Sequence, residues 1–111
     1  MPEAIKVGVI ADQTGALAPM GEAQANTATL VVDEINASGG LLGRPVELLI
    51  EDSATDDARA GAVAAKLVQD DRVDVLLGGI FSSTRQAIKE PAVVEGEGAL
   101  VVPAKLLGGR E

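Results

Sequence analysis

Val73-Asp74-Val75-Leu76-Leu77-Gly78-Gly79-Ile80-Phe81-Ser82-Ser83-Thr84-Arg85-Gln86-Ala87 is the stretch that decides the fold. A short apolar run over residues 73–77 predicts a buried strand. Two glycines make the turn, and Ser83-Thr84-Arg85-Gln86 reads as a capping box that opens a helix. In an open parallel sheet, the carboxyl end of a strand is where ligands bind. A helix N-terminus at that place favours an anion or a carbonyl oxygen. The stretch is equipped to hold a small polar molecule and carries little that could perform chemistry.

The same pattern extends in both directions. Residues 5–10 predict a first strand, followed by a loop over residues 12–20. A helix is expected from near Gly21, with Ala28, Val31, Val32 and Ile35 on one face and a stop at Gly39-Gly40. Residues 46–50 predict a second strand that ends at Glu51-Asp52. Ser53-Ala54-Thr55-Asp56 reads as a second capping box, with Asp in the usual place of Glu. Its helix would carry Ala58, Ala62, Ala65 and Val68 on one face and stop at Asp70-Asp71. Pro91 limits the third helix. Residues 99–102, closed by Pro103, predict a fourth strand. The order βαβαβαβ, with crossovers long enough for parallel pairing, gives an α/β fold: a flavodoxin-like, doubly wound parallel sheet in a three-layer sandwich. Near-continuous apolar strands fit a sheet covered on both faces.

Composition narrows the function. At 111 residues, 47% of them hydrophobic, the chain predicts one domain with one core. Phe81 is the only aromatic residue, so a ligand pocket here would lack the aromatic walls that usually grip organic molecules. The formal charge of −8 leaves no basic patch for nucleic acid or for an anionic membrane surface. With no His and no Cys, thiol nucleophiles, His general bases and the usual zinc sites are excluded. We expect no cofactor, no metal and no catalysis. No apolar run is long enough to span a bilayer, and no signal peptide is read at the start, so a mature, recombinant or cytoplasmic form is expected.

Four ordered segments carry a family resemblance. They are residues 5–15 (Ile-Lys-Val-Gly-Val-Ile-Ala-Asp-Gln-Thr-Gly), residues 28–45 around Glu34-Ile35-Asn36-Ala37-Ser38-Gly39-Gly40-Leu41-Leu42-Gly43, Asp52-Ser53-Ala54-Thr55-Asp56, and residues 78–87. Together they cover residues 5 to 103 and resemble the N-terminal lobe of type I periplasmic-binding-fold proteins. Within that family the chain is similar to the group that binds branched-chain amino acids, amides and urea, which includes periplasmic receptors of ABC transporters and cytosolic amide sensors. The resemblance implies a ligand held between two lobes. It assigns Ser82, Ser83 and Thr84 to the ligand's carboxylate or amide, with Gly79 and Ile80 in the same turn. Asp12, Gln13, Thr14 and Gly15 would form the adjacent wall.

The residues also allow plainer readings. Ser82, Ser83 and Thr84 could simply cap a helix. Asp12 alone invites a comparison with phosphoacceptor domains of the same topology, but these need an Asp at the end of strand three, where this chain has Gly78-Gly79. Asp56-Asp57 and Asp70-Asp71 lack a nucleophile or second acid and read as helix-end charges.

Three departures from the family stand out. The second lobe is not in the sequence. Ile80 takes a place where relatives often carry an aromatic side chain. Residues 104–111 form an atypical tail on the single lobe of residues 1–111. These lead us to expect an engineered or truncated lobe with weak or absent affinity for a small polar ligand. The rival expectation is a structural scaffold that self-associates, as a dimer, through an uncovered sheet edge and apolar surface.

Overall fold

A computed structural model describes residues 3–79, 82–89 and 100–103. Its elements follow the order β1 (Ile5–Ala11), α1 (Ala18–Ala37), β2 (Val46–Asp52), α2 (Asp57–Ala65), a π-helical turn (Lys66–Asp70), β3 (Val75–Gly78), α3 (Ser82–Lys89) and β4 (Leu100–Pro103). The four strands form one parallel sheet in the order β2-β1-β3-β4. This is the flavodoxin-like arrangement that the sequence predicts. Residues 90–99, with Pro91, and the tail 104–111 lie outside the described residues.

Strand alternation divides the core into two layers. Val7, Val9 and Ala11 of β1 join Leu48 and Ile50 of β2 under Ala25 and Ala28 of α1. Ile10 of β1, Leu49 of β2 and Leu76 of β3 face the other way and pack with Ala60 and Ala64 of α2, Leu67 and Val68 of the π turn, and Ile88 of α3. Burying a Leu or Ile this completely stabilises the fold by about 1.5–3 kcal/mol per side chain. The sheet is thus covered by α2 and α3 on one face and by α1 on the other.

Three local expectations about the helices need correction. α1 begins at Ala18, earlier than Gly21, because Pro19 suits the first turn of a helix. Gly21 instead lies where α1 crosses the end of β1: a Cβ there would sit 1.8 Å from the Asp12 carbonyl oxygen. Val31 is 45% exposed, and the buried α1 positions are Gly21 and Ala25. On α2 the buried face is Ala60 and Ala64, continued by Leu67 and Val68, while Ala58 and Ala62 are exposed. An alanine-rich helix fits several phases equally well, and the large Leu67 settles which one packs. The widened π turn seats the consecutive Leu67 and Val68 in the core together, with the Asp71 N–H donating to the Lys66 carbonyl at 3.0 Å.

Both capping boxes also resolve differently. The N-cap of α2 is Asp56, whose carboxylate accepts from the N–H groups of Ala58 at 2.9 Å and Arg59 at 3.3 Å. Ser53 is not a cap. Ala54 and Thr55, with φ of 53° and 54°, turn the chain once more before the helix starts. α3 starts at Ser82, so Ser83 is already helical and Thr84 lies inside the first turn. β3 begins at Val75; the preceding Val73 gives its N–H to the Leu67 carbonyl and belongs to the turn.

Candidate functional site at the carboxyl edge of the sheet

Register brings the strand ends together. Ala11 pairs with Asp52, Ile10 with Gly78, and Gly78 with Pro103. The β1–α1 loop, the β2–α2 turn and the Gly78-Gly79 turn therefore emerge along one edge. This is the edge at which open α/β sheets hold ligands.

The first two of these segments are interlocked. Asp52 Oδ1 accepts from the N–H groups of Gln13 at 2.9 Å, Thr14 at 3.2 Å and Ala54 at 2.8 Å. Asp52 Oδ2 accepts from the Thr14 hydroxyl at 2.7 Å. Thr55 Oγ1 accepts from the Leu17 N–H at 3.2 Å and donates to the Thr14 carbonyl at 3.2 Å. Gly15, at φ 87°, fits against the turn so closely that a Cβ would lie 2.4 Å from the Ala54 carbonyl oxygen. Partial burial pushes the Asp52 carboxyl up. The hydrogen bonds from the Thr14 hydroxyl and from the Ala54, Thr14 and Gln13 amides outweigh that, and the group titrates below its ordinary 3.8.

Asp12 follows β1 directly. It is fully buried, accepts from the Ser53 hydroxyl at 2.6 Å through Oδ1, and leaves Oδ2 without a hydrogen-bond partner among the described residues. Across the edge, Gly79 takes φ 84°, open to glycine and strained for other residues, and its carbonyl accepts from Arg85 Nη1 at 3.0 Å. Ser83 is exposed in the first turn of α3. Thr84 is fully buried, and its hydroxyl donates to Asp57 Oδ1 at 2.6 Å, tying α3 to α2.

The expected site residues thus separate into two sets. Gln13, Thr14, Gly15, Gly79 and Ser83 lie on the carboxyl-edge segments, with Thr14, Gly15 and Ser83 exposed. Asp12 and Thr84 turn their side chains into the protein, because Ser53 and Asp57 offer partners there. Ser82 opens α3. Ile80 lies outside the described residues. Sequence reasoning missed Asp52, Thr55, Asp57 and Arg85. An acid ending an apolar strand directly opposite Ala11 is the signal that could have found Asp52, since it places a carboxylate beside the next loop's amides. The edge offers hydroxyls, peptide groups and a helix start, which suit reversible holding of a polar molecule.

A second concavity lies on the α1 face. A groove of about 580 Å³ runs between α1 and the sheet, lined by Val7, Val9, Val31, Ile35, Leu48 and Leu77 among others. Its lining is mostly aliphatic, with Gln24 and Thr27 as the polar side chains along it. No helix among the described residues is long and apolar enough to cross a membrane.

The periplasmic binding protein family matches residues 4–110. The chain is 33% identical over 102 residues to the Leu/Ile/Val-binding protein of Escherichia coli strain K12, covering 92% of this chain and 27% of that protein. It superposes with a TM-score of 0.83 and 32% identity on the branched-chain amino acid transporter substrate binding protein of Streptococcus pneumoniae, solved with isoleucine, covering 95% of this chain and 30% of that one. An ABC transporter substrate-binding protein from Sphaerobacter thermophilus matches with a TM-score of 0.76 and 31% identity, covering 95% of this chain and 28% of its own. The chain spans about a quarter of the length of the curated relatives it matches, 27% for the Escherichia coli protein.

Proposed function

The chain belongs to the periplasmic binding protein family, and on that premise we propose that it is the N-terminal half of a non-catalytic receptor for a small aliphatic amino acid, serving an ABC transporter. The observation that carries this reading is the carboxyl-edge arrangement. β1 and β3 are paired neighbours, so the loop of residues 13–15 and the start of α3, with Ser83 exposed, follow adjacent strands. Neutral hydroxyls and a helix start suit a ligand carboxylate. Ser82 and Ser83 would grip it, and Gln13, Thr14 and Gly15 would wall it. The relatives bind leucine, isoleucine or valine, which supports an amino acid as the ligand over an amide or urea. A periplasmic setting follows from the same family.

Isothermal titration calorimetry with leucine, isoleucine, acetamide and urea at millimolar ligand tests it. Saturable heat with leucine or isoleucine that falls in the Ser82→Ala, Ser83→Ala double variant supports the reading. Heat only with acetamide or urea would move the assignment to an amide sensor. A folded protein that gives no heat with any of them would sink it.

The apolar groove favours a second reading, in which the lobe pairs with a second copy. One helix is about 10 Å wide and strands are about 4.8 Å apart, so a single helix covers about two strands. α1 packs on β1 and β2, and Leu77 of β3 lines the open groove beside it. Sedimentation velocity of the wild type and of Val31→Glu decides this: a dimer lost in the variant supports it, and a monomer at high concentration ends it.

A further inference from the structure

Asp52 makes four hydrogen bonds through one carboxylate, and three of them reach the loop that walls the proposed cleft. Asp52 is also the last residue of β2, so its own backbone is held by the sheet. The rigid strand end thereby fixes a loop on the neighbouring strand. The turn that follows is strained: Ala54 and Thr55 are consecutive non-glycine residues in the left-handed region, at φ 53° and 54°. Such backbone persists only where its surroundings hold it, and it clusters at functional sites. Here the hold comes from Asp52 Oδ1 on the Ala54 N–H and from Thr55 Oγ1 between Thr14 and Leu17. The two segments therefore support each other, and Gly15 removes the side chain that would separate them.

We propose that Asp52 is the positioning residue of the ligand site: its carboxylate, with Thr55 as a second arm, clasps the β1–α1 loop into its binding conformation before ligand arrives. This rests on the functional reading above. A loop ordered in advance spares the ligand the entropy of ordering it, so affinity rises without any new contact. The clasp also fixes what the loop can offer. The N–H groups of Gln13 and Thr14 and the Thr14 hydroxyl are directed at Asp52, so the ligand's anionic end falls to the start of α3. The charged groups around Asp52 are buried Asp12 in the same loop and, on α2, Arg59 and Asp56. Arg59 Nε donates to the Asp52 carbonyl at 2.7 Å. Asp56 is occupied by the helix amides.

The test combines amide hydrogen exchange on the 15N-labelled chain with leucine and isoleucine titrations, for the wild type, Asp52→Ala, Asp52→Asn and Thr14→Ala. In Asp52→Ala, exchange at Gln13 and Thr14 should speed up about tenfold or more, since each lost bond to a charged acceptor is worth a factor of that order. Ile10 and Leu76 should keep their protection. Leucine affinity should fall about tenfold. Asp52→Asn keeps an acceptor at Oδ1 and should restore most of both losses, which a general loss of structure would not permit. Thr14→Ala removes one arm and serves if Asp52→Ala does not fold. Unchanged exchange in both Asp52→Ala and Thr14→Ala overturns the clasp. Faster exchange with unchanged affinity overturns the positioning role and leaves the receptor reading intact. A wild type that binds neither amino acid overturns the receptor reading, and the exchange data then judge the clasp on their own.

Discussion

The hydroxyl of Thr84 reaches Asp57 Oδ1 at 2.6 Å, joining the first turn of α3 to the first residue of α2. Thr84 is fully buried, so this hydroxyl serves packing between two helix starts and faces away from solvent. Thr84→Val keeps the shape and removes the donor. We expect a loss of about 1–2 kcal/mol of stability, from one hydrogen bond to a charged acceptor. Thr84→Ser should retain most of it. Ligand affinity should respond to Ser83→Ala and stay unchanged in Thr84→Val. Chemical denaturation and calorimetry on the three variants check this. A Thr84→Val protein as stable as the wild type but with weaker ligand binding would return Thr84 to the ligand site.

Asp52 gives the site a defined acid limit. Its folded pKa lies below the unfolded value, so its contribution is complete above the ordinary 3.8 and is lost as pH falls through the lowered folded value. Protonation removes the charge that the Gln13, Thr14 and Ala54 amides bond to. Between neutral pH and pH 5 the loop should stay ordered. Below about pH 4, the ordinary carboxylate range, the Gln13 and Thr14 amide resonances should begin to shift. Asp52→Asn should abolish that dependence at those two amides. A titration at Gln13 and Thr14 that persists in Asp52→Asn would assign it to another acid.

The sequence announces the sheet because its four strands are apolar runs bounded by glycine, proline and acids, and each signal is local. Leu76 and Ile10 fall in short apolar runs, which is enough to point to buried strands. α2 could not be phased, since alanine at five of its nine positions makes every face equally apolar. The site shows the same division. The Gly78-Gly79 turn and the hydroxyls beyond it are contiguous in sequence and readable. The partnerships of Asp52 with Thr14, Ser53 with Asp12 and Asp57 with Thr84 join residues 27 to 41 positions apart. Only the parallel register, with Ala11 opposite Asp52, brings the first two of these together.

Asn36 braces the far end of α1 to an edge strand. Its Nδ2 donates to the Val46 carbonyl at 2.8 Å, and its Oδ1 accepts from the Val46 N–H at 2.8 Å. One side chain thus satisfies both backbone groups at the first residue of β2, as a neighbouring strand would. Asn36→Ala should cost about 1–3 kcal/mol, from the two bonds lost to the backbone of buried Val46. Asn36→Asp keeps the acceptor and sets a carboxylate against the Val46 carbonyl. It should be at least as harmful at neutral pH and recover partly in acid. Thermal unfolding at pH 7 and pH 4 separates the two. Equal stability of Asn36→Ala and wild type would mean that water replaces the amide without penalty.

Asp12 is the one described residue whose burial is not matched by its bonding. Its Oδ1 accepts from Ser53 at 2.6 Å, while Oδ2 is buried and has no partner among the described residues. A carboxylate enclosed in this way is costly, and an amide of the same shape is cheaper because it carries no charge. Asp12→Asn should therefore raise stability, by about 1–2 kcal/mol, with the Ser53 hydroxyl still donating to the remaining oxygen. Ser53→Ala acts in the opposite sense, because it removes the one donor to the carboxylate among the described residues, and should destabilise more than most buried Ser→Ala changes. In Ser53→Ala combined with Asp12→Asn, most of that loss should disappear, so the two changes should couple strongly. Urea unfolding of the four proteins at pH 7 gives the coupling directly. If Asp12→Asn lowers stability, Oδ2 has a partner in solution, and the buried end of β1 becomes a place to look for a bound cation or water.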